Sequence, residues 1–318
     1  MSRCLVTGAA GFIGSHLCEA LLARGDEVLG VDCLTDYYDP ARKRGNLAGA
    51  FESGLEFSQL DLARHALDEV VDGVDVVFHL AAQPGVRPSW GADFDVYSRR
   101  NIVATQRLLE ALRAGGVRFV FASSSSVYGN RARAPARESD RPAPVSPYGL
   151  TKAACEELVG VYRRVHGLSA VSLRYFTIYG PRQRPEMAFA SFIGALLAGR
   201  QLDVLGDGRQ SRDFTYVSDA VAATIASADH GTEPAYNISG GSSSTVLETI
   251  AQIERLSGRR AFLRFWPSAR GDAYRTDGDL TLARRDLGYT PEVELADGLA
   301  RQLEAARRET PVLAGTVT

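Results

Sequence analysis

The stretch SPYGLTKAACEEL places Tyr148 and Lys152 four residues apart at the opening of an amphipathic run, so the helix it predicts carries both on one face. A phenol beside an ammonium makes a usable base. The lysine charge stabilises the phenolate, and the tyrosine can then take a proton from a hydroxyl. Composition separates this pair from an ordinary solvated helix face. Lys43 and Lys152 are the only lysines among 36 basic residues, and a surface charge in such a chain is served by arginine. A site that needs a compact ammonium within reach of a ribose and a phenol is not. A second set of residues suits a dinucleotide. TGAAGFIGSHL sets Gly8, Gly11 and Gly14 directly after an apolar run and at the start of a helix, which lets the backbone turn tightly and approach a pyrophosphate at the helix N-terminus. Asp32 ends the next apolar run, where a carboxylate accepts hydrogen bonds from an adenosine ribose and repels a 2'-phosphate, selecting NAD over NADP. Asp61 and Leu62, after the third run, fit an adenine contact. The hydroxyl-rich SSSSVYG, residues 123–129, ends the fifth run, at the carboxyl edge where open α/β sheets bind ligands.

These side chains need a scaffold, and the hydrophobic pattern predicts one. Apolar runs at residues 4–7, 27–31, 55–60, 74–80, 117–122 and 170–174 alternate with amphipathic stretches at 13–23, 97–113 and 148–165. That order predicts an α/β fold of the Rossmann type, a doubly wound parallel sheet with helices on both faces. After Thr177 the alternation loosens. Helices are expected at 188–198, 219–228, 246–256 and 295–308 and strands at 235–238 and 262–265, forming a smaller C-terminal α/β lobe. The expected division is an NAD-binding domain over 1–176 and a substrate-binding lobe over 177–318, with the chain free to cross between them. Residues 130–147, rich in Arg, Pro and Ala, read as a surface loop.

Bulk properties exclude several classes. With 318 residues and 45% hydrophobic side chains the chain buries a full core, and 36 basic against 38 acidic residues leave no nucleic-acid or membrane surface. Cys4, Cys18, Cys33 and Cys155 are scattered without a C-x-x-C pair, which argues against a disulfide scaffold or metal site and for a reducing, cytoplasmic setting. The glycine-broken start carries neither a signal-peptide pattern nor a membrane span.

Taken together, Gly8, Gly11, Gly14, Asp32, the serine run, Tyr148 and Lys152 resemble the extended short-chain dehydrogenase/reductases that modify nucleotide sugars, over essentially the whole chain. The resemblance implies that Ser124 helps bind the sugar 4-hydroxyl, that Tyr148 is the base, and that Lys152 binds ribose and tunes it. It further implies cofactor contacts from Phe12, Ile13, Leu80, Ala81, Ala82, Asn101 and Tyr175. RDFTYVSDA (212–220) and ARGDAYRT (269–276) look like the family's nucleotide-diphosphate elements, which assigns Arg212 and Arg270 to the diphosphate and adds Asp272 and Arg87 to the substrate contacts. The helices at 97–113 and 148–165 would pair in a homodimer.

The reaction implied turns on the neighbours of Ser124. Family 4,6-dehydratases carry an Asp-Glu pair there, and uronate decarboxylases a glutamate two positions on; here Ser125 and Ser126 offer no carboxylate. What remains is oxidation at sugar carbon four, turning of the 4-keto sugar, and hydride return to the other face. TDYYDPARKRGNL (35–47), HLAAQPGVRPSW (79–90) and RYFTIYGPRQRPEMAF (174–189) resemble the UDP-glucuronate 4-epimerase branch, and Thr177 stands where neutral-sugar epimerases carry asparagine. Hydroxyls of Ser124, Ser125, Ser126 and Thr177, backbone groups near Pro84 and Gly85, and Arg184 beside them would surround a sugar carboxylate. Such a cage keeps a 4-keto uronate, a β-keto acid, out of the alignment that loses carbon dioxide. The alternatives are a UDP-glucose/UDP-galactose 4-epimerase, a UDP-glucuronate decarboxylase, or a non-catalytic nucleotide-binding protein.

Overall fold

The computed structural model describes residues 1–130, 134–268 and 271–309. Six of its strands fall on the six apolar runs of the first half: β1 Arg3–Thr7, β2 Glu27–Asp32, β3 Glu56–Gln59, β4 Val76–His79, β5 Arg118–Ser124 and β6 Ser169–Tyr175. The later strands are β7 Thr177–Tyr179, β8 Leu202–Leu205, β9 Ser211–Tyr216, β10 Ala235–Ile238, β11 Ser243–Thr245 and β12 Leu263–Trp266. The main sheet has the order β10-β6-β5-β4-β1-β2-β3, and every neighbouring pair in it is parallel. From β1 the chain winds outward through β2 and β3, then returns to begin again at β4 on the other side. The strand order therefore reverses between β1 and β4, and a crevice opens at their carboxyl ends.

Burial on both faces explains why the central strands are largely apolar, while the edge strand β3, EFSQ, is not. Cys4 and Val6 pack on one face while Leu5 packs on the other; Phe78 and Val77 divide likewise, as do Val120 and Phe119. Helices Phe12–Arg24 and Val217–His230 contact each other over the first face, and helices Ala104–Ala111 and Pro147–His166 cover the second. The helix expected over 97–113 forms, but as Phe94–Tyr97 and Ala104–Ala111 joined by a π-helical stretch, Ser98–Val103.

One expectation needs correcting. The strand at 235–238, placed by its sequence position in the smaller lobe, is β10, the edge strand of the main sheet, paired with β6 from Ala235–Ser172 to Ile238–Tyr175. Its four residues are all buried, so their backbone groups need partners, and β6 supplies them. The remaining later strands form a three-stranded sheet, β11-β9-β7, and a pair, β12-β8, that flank the carboxyl edge.

At the end of β4, His79 is fully buried between the hydroxyls of Thr7 (2.7 Å) and Thr105 (2.9 Å). Burial, with Lys152 adding a like charge, holds its pKa at about 3. The unfolded chain therefore takes up this proton first as pH falls, and the stability present above about pH 6.5 is lost between there and pH 3, on the order of 5 kcal/mol at the limit. The urea midpoint is expected to drop between pH 7 and pH 5, with a shallower slope in His79→Asn; equal slopes would remove His79 from the account.

Candidate active site

Among the residues expected to hold the cofactor, Gly8, Gly11, Phe12, Ile13, Gly14, Asp32, Asp61, Leu62, Leu80, Ala81, Ala82, Tyr148, Lys152 and Tyr175 line a single cleft at the reversal point. The glycine turn shapes its floor. Gly8 N–H donates to Val31 O at 2.7 Å and Gly11 N–H to Gly8 O at 3.0 Å, which brings helix Phe12–Arg24 down onto β1. A Cβ on Gly14 would stand 2.2 Å from the Gly8 carbonyl oxygen, so no other residue allows this approach. The N-cap, Gly11, has no side chain to engage the first-turn amides, which stay available to a pyrophosphate. Asp32 accepts from the amides of Leu34 (2.8 Å) and Ala10 (3.2 Å), and burial raises its pKa against those bonds and the nearby Lys43. Ribose hydroxyls of a bound NAD would donate to this carboxylate and offset what burial removed. These features fit NAD.

Sequence reasoning missed Lys43. It is buried at 6% exposure and lines the same cleft, its Nζ donating to the carbonyl and hydroxyl of Thr35, each at 2.8 Å. Lys152 is buried at 4%, with Nζ donating to Ala122 O at 2.7 Å. Both lysines of the chain thus serve one cleft. Their rarity was the available signal, and it applied to the two equally. Cys33, Tyr37, Tyr38, Gln83, Arg100 and Ser123 also line the cleft without having been singled out.

The helix carrying the base begins at the serine run. Ser146 caps it, accepting from Gly149 N–H at 3.1 Å, and Pro147 opens it, so Tyr148 stands in the first turn and Lys152 one turn on. Gly149 permits the contact: a Cβ there would lie 2.6 Å from Ser126 O. Tyr148 is half-buried, its ring edge-on to Tyr97 at 6.3 Å. Asn101, in the π-helical stretch, stands behind the cleft rather than on its wall. Its side chain accepts from Gln83 N–H (2.7 Å) and donates to Thr151 Oγ1 (3.0 Å), tying the β4 loop to the helix of Tyr148.

The sugar-side residues are brought together less closely. Ser124 Oγ accepts from Ser126 N–H and donates to Ser126 Oγ, both at 3.1 Å, folding the run into one turn. Ser123, the member that reaches the cleft, donates its hydroxyl to Glu156, which is paired in turn with the buried Arg174 at 2.7 Å. Ser124 is the register partner of Tyr175, so Ser125, Ser126 and Thr177 leave adjacent strands at the same edge. Pro84 lines the cleft, and the carbonyls of Pro84 and Gly85 lie 2.7 and 2.8 Å from Tyr97 Oη, which takes them as acceptors. Arg184 enters the cleft and is paired with Glu186 at 2.6 Å. Arg87 and Asp272, both expected on the substrate, meet each other at 2.9 Å across 185 residues. Arg212 lies close by, its pKa lowered by burial and by Arg87 against the pull of Asp272, a setting that favours an added anion. Arg270 lies outside the described residues.

Three comparisons place this chain among known proteins. The family model described as NAD dependent epimerase/dehydratase family matches residues 4–239. The crystal structure of UDP-glucuronic acid 4-epimerase from Bacillus cereus, in complex with UDP-glucuronic acid and NAD, is similar with a TM-score of 0.94 and 40% identity over 97% of this chain and 100% of that one. Two curated relatives are an uncharacterized UDP-glucose epimerase of Bacillus subtilis (strain 168), 44% identical over 95% of this chain and 96% of its own, and the UDP-glucuronate 4-epimerase of Thermodesulfobacterium geofontis (strain OPF15), 35% identical over 98% of each. With the glycine turn, Asp32, Tyr148 and Lys152 all on the wall of one cleft, this chain belongs to the NAD dependent epimerase/dehydratase family.

Proposed function

We propose that this protein is an NAD-dependent enzyme that interconverts UDP-glucuronate and UDP-galacturonate by inverting carbon four of the sugar. The observation that carries the reading is the entry of Arg184 into the cleft that holds Tyr148 and Lys152, where a guanidinium pairs more strongly with a sugar carboxylate than with a neutral hydroxymethyl. Bound NAD supplies hydride exchange at carbon four. Tyr148 takes the 4-hydroxyl proton and returns it after the sugar has turned. Lys152, its ammonium fixed on Ala122 O, holds positive charge one helical turn from the phenol throughout. Ser125 and Ser126 give no carboxylic acid to drive dehydration or loss of carbon dioxide. Arg212 and Arg87 would face the diphosphate.

Incubation with UDP-glucuronate and, separately, UDP-glucose tests this. Each charge-assisted hydrogen bond to the carboxylate contributes about 1.5 to 3 kcal/mol, so the uronate should be preferred by orders of magnitude, with UDP-galacturonate as product. Equal use of UDP-glucose would favour the second reading, a neutral-hexose epimerase, to which the name of the Bacillus subtilis relative points. A UDP-pentose as main product would make it a decarboxylase.

The same reading includes a cytoplasmic homodimer. All four cysteines are free, and no helix among the described residues is long and apolar enough to cross a membrane. Val103, Leu150, Val161 and Val165 are exposed on helices that flank the sheet, an apolar face suited to a second copy. Light scattering at micromolar concentration should give twice the 34.3 kDa chain mass; a monomer would refute the pairing.

A further inference from the structure

We propose that Glu186 is an internal stand-in for the substrate carboxylate: it occupies Arg184 while no sugar is bound and competes for it during turnover, so that the uronate is held loosely enough to turn. The inference rests on the uronate reading above. Arg184 and Glu186 flank Pro185 in the connection between β7 and helix Ala188–Leu197, and Arg184 Nε donates to Glu186 Oε1 at 2.6 Å. Tyr37, which reaches across from the loop after β2 and lines the cleft with Tyr148, lies near Glu186, whose negative charge adds to burial in raising the phenol pKa. The guanidinium assigned to the sugar carboxylate therefore already has a carboxylate.

Binding then exchanges one carboxylate for another, and the net gain is smaller than an unoccupied arginine would give. The advantage lies in the turning step. Inverting carbon four requires the 4-keto sugar to present its other face, and its carboxylate must leave Arg184 to do so. An arginine with no alternative partner would oppose that release with the full strength of a charge-assisted pair. Glu186, two residues away on the same short connection, takes up Arg184 as the sugar lets go. A neutral hexose makes no such demand, so the effect is confined to uronates.

The test is isothermal titration of NAD-loaded protein with UDP-glucuronate and UDP-glucose, together with steady-state rates on the uronate. Glu186→Gln should tighten UDP-glucuronate about 2- to 5-fold, the worth of a part-exposed ion pair, and lower kcat while leaving UDP-glucose binding unchanged. Glu186→Asp should restore both parameters toward wild type. Weaker uronate binding in Glu186→Gln, or equal changes for both sugars, would show a merely structural residue and overturn the proposal. Arg184→Gln separates the two readings, since it should weaken UDP-glucuronate about tenfold or more. If it does not, the carboxylate assignment of Arg184 fails; if it does while Glu186→Gln binds as wild type, the stand-in role alone fails.

Discussion

Tyr148→Phe should turn over UDP-glucuronate at least about 10²-fold more slowly than wild type while binding it nearly as well. The substitution removes one hydroxyl from a half-buried ring and leaves the edge contact with Tyr97 in place, so no cavity forms and the helix start is undisturbed. Tyr97 and Tyr37 are the phenols that interact with Tyr148 and could be considered as replacements. Tyr97 Oη is engaged with the Pro84 and Gly85 carbonyls, and burial pushes its pKa well above the usual phenol range. Tyr37 is also raised, by burial first and then by Glu186. Neither takes a proton readily near neutral pH. Chromatographic rates with saturating UDP-glucuronate, and a titration for affinity, check both halves of the expectation. Turnover near the wild-type value would mean that another residue removes the 4-hydroxyl proton.

Gly14→Ala should yield protein that retains little NAD through purification and melts at a lower temperature. The added methyl would lie 2.2 Å from Gly8 O, 2.9 Å from Gly8 C and 3.0 Å from Ala9 Cα. All three are backbone atoms of the phosphate-facing turn, so no rotamer change relieves the clash and helix Phe12–Arg24 must lift from β1. Forced overpacking of this kind costs typically about 1–3 kcal/mol, and here the displaced backbone is also the cofactor floor. Denaturing the purified variant and assaying released NAD, beside a melting curve, measures both effects. Unchanged cofactor content and melting temperature would mean that the turn is not held as tightly as the contact implies.

Local signals made most of the scaffold legible in the sequence. Five of the first six strands, all but β3, are runs with a strong apolar pattern, and the cap Ser146 with Pro147 marks the helix of Tyr148 within the chain itself. What escaped was non-local. β7, β8, β9 and β11 are only three to six residues long, and β10 is only four, so nothing in its own pattern says that its partner is β6. The sugar side suffered in the same way. Arg87 and Asp272 were both legible as substrate contacts, but not as partners of each other across 185 residues. Ser123 differed from its three neighbours only through Glu156, a contact made when β5 and helix Pro147–His166 dock. Lys43 was counted as rare and then passed over, because TDYYDPARKRGNL was read for its likeness as a stretch and gave its lysine no role.

The late arrival of β10 has a consequence for how this chain is made. During synthesis β6 emerges about sixty residues before its outer neighbour, and until Ile238 has left the ribosome the growing sheet ends in an open strand edge. Helix Val217–His230, which covers part of one face, is delayed likewise. The nucleotide-binding half therefore cannot finish folding by itself, ahead of the rest, as an early domain usually does. Its last step waits on long-range pairing, which is slow and leaves an apolar edge open to other chains meanwhile. The β7, β8 and β9 region is synthesised inside that interval, so the two parts of the molecule must fold as one cooperative unit rather than in succession.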